Sequence, residues 1–348
     1  MIRFLLASGI LIVGILLFNK FKDSNPKLAI KSAEVNDSQI PYQRDWISKR
    51  LVEIPFIGNI NDSLFRPIEF DSFEDTLYVT DYGDMKIKRF TTSGEFIDQF
   101  GKYIGRGPSD LLGPLDLFVS NRNLYALDRD HSIKIFDLDK SDKTQTIRVN
   151  QNSYELLSLD KIFVTQTFID YKFFSIINKT DTANTFYFSG LAEEQQTNIL
   201  SLGGYLVPSL TDNEFIYIPK YGSYLFYYTL DGNNSKTIQT IDRFEIPKSQ
   251  NLSTGVRVPD PNQIIQNVAY TDSLLFILNS RRGIDDHTRE EFRTTHSFVD
   301  VYSITGERYY ITMLMPFHSD GLAIVKDEIF LLHEKEDKIY RYMLPNLN

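Results

Sequence analysis

Six polar residues recur at one place in a repeating pattern. The apolar runs LYVTD (77–81) and LYALD (124–128) both end in aspartate, Asp81 and Asp128, and both are followed by a polar turn. Carried along the chain, the same alignment puts Gln166, Lys220, Asn279 and His333 at the equivalent place. Gathered on a ring, these side chains would form a polar rim able to grip a ligand or an ion. A strand-end Asp or Asn also accepts hydrogen bonds from the N–H groups of the following turn. That structural role suits Asp81 and Asp128 best. Lys220 and His333 perform it poorly and are the better binding candidates.

A second candidate is the segment 280–297 (SRRGIDDHTREEFRTTHS), which stands where the other copies have a short turn. Long insertions on a rigid scaffold often carry binding. Arg281, Arg282 and His287 are its candidate contacts. Its mixture of both charge signs fits a solvated, self-neutralising loop equally well.

Other chemistries find little support. The chain has no Cys, which removes disulfides, zinc-thiolate sites, thiol nucleophiles and lipid attachment through Cys. Its five histidines fall in no HExxH or His-x-His pattern, so no metal site is read from spacing. IGRGPSDLLGP (104–114) lacks the Gly-Lys-Ser/Thr of a phosphate loop and carries Pro108 and Pro114, so it reads as a turn between repeats. No Gly-x-Ser-x-Gly elbow occurs. A net charge of −9 with no basic stripe argues against nucleic acid as a partner.

The elements that must position these residues are strands. Twenty Tyr and 26 Phe, many beside Ile, Val or Thr, favour strands over helices. Short alternating runs separated by Gly-, Asp- and Ser-rich turns recur in groups of four. The groups begin near 64, 115, 154, 206, 264 and 321, and the last holds only three runs. Four strands per roughly 40–55 residues is the propeller period. The run RLVEIPFIG (50–58) supplies the missing strand if the ring closes on itself, which also hides the sheet edges. The expected fold is therefore an all-β six-bladed β-propeller of four-stranded antiparallel blades, its last blade closed by an N-terminal strand. Seven blades is the competing count.

Ahead of the propeller (46–348), residues 4–18 are uninterruptedly apolar and flanked by Arg3 and Lys20. As a helix they span about 22 Å, short of a bilayer core, so 1–22 reads as a signal sequence or an uncleaved signal anchor. Residues 23–45, polar and containing Pro26 and Pro41, read as a tether.

The stretches EIPFIGNINDSLFRPIEF, LYVTDYGDMKIKRFTTSGEFIDQFG and LYALDRDHSIKIFDLD, with the linker Gly105-Arg106-Gly107-Pro108, resemble the NHL-type six-bladed propellers. More narrowly they are similar to a group of envelope propellers of Gram-negative bacteria. The resemblance runs from about 46 to 140. It implies a cell-envelope location, inner-membrane anchored and facing the periplasm, or periplasmic if the signal is cleaved. It implies no activity, since one fold hosts many functions.

Two functions are expected. One is a non-enzymatic binding or scaffold propeller that needs no cofactor, touches the membrane only through its N-terminal segment and recognises a protein, peptide or glycan. The other is a metal-dependent propeller hydrolase or lactonase, which would need Ca²⁺ or Zn²⁺ held by ligands from several blades.

Overall fold

The computed structural model describes residues 43–47, 51–120, 122–140, 144–149, 153–169, 172–189, 202–244, 246, 250–252, 255–257, 264–280 and 296–345. The N-terminal segment 1–42 and the insertion 281–295 lie outside the described residues, and with them Arg281, Arg282 and His287.

Six four-stranded antiparallel sheets follow one another along the chain. Their first strands are Pro67–Phe73, Pro114–Ser120, Ser153–Ser158, Gly204–Pro208, Ile265–Tyr270 and Gly321–Val325. Each first strand touches the first strand of the next blade, and the sixth touches the first, so the six form a closed inner ring. Strand alternation and the aromatic content decide what fills the gaps between blades. Five apolar clusters sit there, one of them spanning blades 2, 3 and 4 around Phe163, Phe174, Phe215 and Tyr217. Its rings meet edge-to-face, as in Phe174 against Phe215 with centroids 5.4 Å apart, and stacked, as in Phe215 against Tyr228.

Closure occurs as expected, with a shorter strand. Val52 and Glu53 pair antiparallel with Met343 and Tyr342, completing blade 6. The Ile54 N–H donates to the Arg341 carbonyl at 2.8 Å, and there the ladder ends. Pro55 follows and has no N–H to continue it. The chain instead turns onto blade 1, where the Ile57 and Gly58 N–H groups both donate to the Ser93 carbonyl. Only glycine fits at 58, because a Cβ there would lie 2.3 Å from the backbone of Gly94. Upstream, residues 43–47 lie along the outer edge of blade 5. Trp46 forms a parallel bridge to Thr312, and the Ile47 N–H donates to the Thr312 carbonyl at 2.9 Å. The N-terminal segment thus covers one exposed edge and fills another.

The connection after blade 4 carries a short extra hairpin, Gln250–Leu252 with Gly255–Arg257.

Candidate functional site

The second strands end at Asp81, Asp128, Asn279 and His333, with Lys220 directly after Pro219 and Gln166 inside the longer strand of blade 3. In blades 1 and 2 the register pairs Asp81 with Pro67 and Asp128 with Pro114. The recurring positions therefore stand at the end of the ring where the first strands begin.

Their partners differ. Asp81 accepts hydrogen bonds from the N–H groups of Phe65 (2.9 Å), Arg66 (2.8 Å) and Gly83 (3.1 Å), and from Lys88 Nζ at 2.7 Å. Asp128 accepts from the N–H groups of Leu112, Gly113 (2.7 Å) and Arg129 (2.9 Å). Both carboxylates hold the loop that enters their own blade. Their acidities diverge with the surroundings. Burial pushes Asp81 up, but the Lys88 ammonium and the loop N–H groups leave it below the usual carboxylate range. Asp128 ends above that range, because burial outweighs its N–H donors and Asp130 adds a like charge.

Asn279 donates to Asp300 Oδ2 at 2.9 Å and so belongs to a buried ion pair with Arg44. His333 packs its ring against Phe317, centroids 5.0 Å apart, and its Nε2 lies 3.7 Å from Glu336. Gln166 Oε1 accepts from the Gly204 N–H at 3.4 Å. Lys220 is unlike the rest. Its Nζ donates to Glu155 Oε1 at 3.0 Å across the blade 3–blade 4 boundary and sits 4.5 Å from the Tyr205 ring centroid. Although burial opposes its charge, Glu155, Tyr205 and Glu69 keep Lys220 protonated well above the ordinary lysine range.

Lys220 leads to a feature built on the first strands. Glu69, Asp71, Asp116 and Glu155 line a narrow axial cavity of about 60 Å³ together with Tyr205 and Asn267. Three of these side chains hold the third place of their strands: Pro67-Ile68-Glu69, Pro114-Leu115-Asp116 and Ser153-Tyr154-Glu155. Blade 5 has Asn267 there. In these four blades the pairing with the second strand slips at or beside this position, and such bulges re-aim side chains.

Two of the carboxylates tie neighbouring blades together. Asp71 accepts from the Ser72 N–H at 2.7 Å and from the Val119 N–H of blade 2 at 3.2 Å. Asp116 accepts from the Leu117 N–H at 2.8 Å and from the Leu156 N–H of blade 3 at 2.5 Å. Glu69 has no hydrogen-bond donor among the described residues. Burial raises all four acids above the carboxylate range. It brings Asp71 to about 6, and the Glu155 charge raises Glu69 further.

The narrow throat opens into a wider chamber of about 670 Å³. Phe70, Asp71, Phe118, Val268 and Tyr270 line both spaces. The chamber is ringed by the turns joining first to second strands, where Glu74, Asp160, Asp212 and Asp272 stand. Its mouth is thus at the opposite end of the ring from Asp81 and Asp128. Among the described residues, no three or more His, Asp or Glu side chains are grouped so as to hold a metal ion.

No protein-family model and no curated protein sequence matches the chain. Solved structures share its fold. Virginiamycin B lyase from Staphylococcus aureus superposes with a TM-score of 0.52 at 10% identity, covering 85% of this chain and 99% of that one. A protein from Bacteroides fragilis described as exported gives 0.51 at 14% identity, covering 86% and 93%. The Swd1 β-propeller domain of Myceliophteria thermophila gives 0.51 at 10%, covering 80% and 96%. At these identities the likeness is one of fold, and the chain is a six-bladed β-propeller.

Proposed function

We propose that the chain is a non-enzymatic binding propeller of the cell envelope, of the NHL-like kind its sequence resembles, holding a protein, peptide or glycan at the wide mouth of its axial funnel. The observation that carries this reading is the funnel itself. A chamber of about 670 Å³, rimmed by the turns between first and second strands, narrows to a polar throat on the inner strands. Concave sites with a few convergent polar groups are where small ligands and side chains bind. The apolar run 4–18 supports export, and of the tether expected over 23–45 the last residues, Arg44 and Asp45, are docked on blade 5.

The test is a binding screen of the full chain in detergent against peptide and glycan arrays, repeated with Ser120→Trp combined with Asp160→Trp. Both positions line the chamber, and Asp160 is exposed. A ligand of the funnel is lost in the double variant while the melting temperature holds. A ligand bound equally by both proteins places recognition elsewhere. Turnover of ester or lactone substrates on addition of Ca²⁺ or Zn²⁺ would replace this reading with a hydrolytic one.

A further inference from the structure

We propose that the throat is a receptor for a primary ammonium group, so that the funnel's ligand is an amine whose charged head passes between Glu69, Asp116 and Asn267. The proposal rests on the funnel being the binding site and names what it binds.

The charge inventory is one-sided. Glu69, Asp71, Asp116 and Glu155 face the throat from blades 1, 2 and 3, and Lys220 from blade 4 is the cation set against them. That cation is committed to Glu155. The chamber above adds Glu74, Asp160, Asp212 and Asp272, and no Lys, Arg or His is among its described lining residues. A cleft lined by one sign of charge within low-dielectric walls concentrates the opposite ion.

An independent observation points to an occupant. Asn267 is only 8% exposed and lines the same throat, yet its side-chain amide has no hydrogen-bond partner among the described residues. What little of Asn267 is exposed opens onto this throat, so its amide is presented to whatever enters. Glu69, which accepts no hydrogen bond from a described residue, lines the same throat.

The geometry selects among cations. An ammonium carries three N–H donors and no acceptor, so it needs a small set of acceptors and no donor. Glu69, Asp116 and the Asn267 carbonyl oxygen meet that need. Ca²⁺ requires six to eight oxygen ligands close around it, a demand the described acids are not grouped to meet. A throat of about 60 Å³ admits an ammonium head, while the chain behind it would lie along Phe70, Phe118 and Tyr270. Groups facing Glu69 are Asp71 on its own strand, Asp116 and Glu155 on the next two blades, and Lys220 with Tyr205 on blade 4. With the carboxyls of the throat held partly protonated, capture of an ammonium drives protons off. Binding then weakens as pH falls.

The experiment is calorimetric titration of the full-length protein in detergent. The probes are cadaverine, spermidine, a blocked Lys peptide, its norleucine counterpart and Ca²⁺. We expect the amines to bind and the norleucine peptide not to. Affinity should fall roughly tenfold between about pH 8 and about pH 6. Glu69→Gln should weaken binding by roughly tenfold without lowering the melting temperature, and Asn267→Leu should also weaken it. Comparing free diamine with Lys peptide tells which source supplies the ammonium. Equal binding of the norleucine peptide, no amine binding at all, or amine affinity unchanged in Glu69→Gln would overturn the amine assignment. Tighter binding of Ca²⁺ than of any amine would overturn it in favour of a metal site. In those cases the funnel stands if another ligand is blocked by Ser120→Trp with Asp160→Trp. A ligand indifferent to that block removes the funnel reading as well.

Discussion

Arg44 and Asp300 are separated by 256 positions in sequence and meet through two parallel hydrogen bonds, Nε to Oδ1 and Nη2 to Oδ2, each 3.0 Å. Arg44 Nη2 also lies 2.5 Å from Asp242 Oδ2, and the guanidinium stacks over Phe298 at 4.5 Å. All three charged side chains are at most 4% exposed. One arginine thus neutralises two buried carboxylates and fastens the segment 43–47 to blade 5. Replacing it by Ala leaves both acids buried without their cation. Arg44→Ala is expected to cost about 3–5 kcal/mol in a denaturant titration, whereas Arg44→Lys, which keeps charge but not the fork, loses a smaller part.

The closing strand is short enough for one backbone donor to matter. Ile54→Pro deletes the N–H that reaches the Arg341 carbonyl. The expected loss is about 1–3 kcal/mol. Amide exchange should accelerate through Lys338–Met343 before it does so in blades 2 to 4.

Asp81 and Asp128 act as loop anchors, and their removal tests stability. Asp81→Ala leaves the Phe65 and Arg66 N–H groups unpaired, and Asp128→Ala does the same to Leu112 and Gly113. Each is expected to cost about 2–4 kcal/mol near neutrality. The pH dependence separates them. Asp81 has a depressed pKa, so its contribution is present above the unfolded value and is lost as pH falls through the folded one. The penalty of Asp81→Ala therefore shrinks in acid. Asp128 is raised, so its ionisation opposes folding as pH increases. Asp128→Asn should then be milder near neutrality than Asp81→Asn. Thermal melts across an acid-to-neutral series check both.

The throat acids make a further stability test. Glu69 titrates higher in the folded chain than in the unfolded one, first through burial and then through the Glu155 charge. The folded state therefore holds the extra proton in the window between the two values. Stability from this group is present at low pH and declines as pH rises. Glu69→Gln removes the titration without removing a hydrogen bond. It should melt a few degrees above wild type in mildly alkaline buffer and level with it near pH 5. A variant that melts lower throughout would assign Glu69 a packing role.

The fold was legible because blades 1 and 2 repeat an apolar run, a terminal aspartate and a polar turn, and the final repeat is one strand short. The missing strand located the closure, while Pro55 set its length, a backbone limit that apolar pattern alone hides. The throat was harder to read. Aligning second strands draws the eye to Asp81 and Asp128, whose work is local. Aligning first strands instead puts Glu69, Asp116, Glu155 and Asn267 in register, and charged residues inside otherwise apolar strands were the available signal. The partners were beyond reach. Nothing near Lys220 in sequence names Glu155, 65 positions earlier, and nothing near Asn279 names the Arg44–Asp300 pair.

Because residues 52–53 complete the sheet made by 321–343, the first and last ribbons of the ring are mutually dependent. Until Lys338–Met343 is in place, the opening ribbon has no mate and the circle stays an open arc. Loss of either ribbon therefore opens the whole circle rather than fraying one edge.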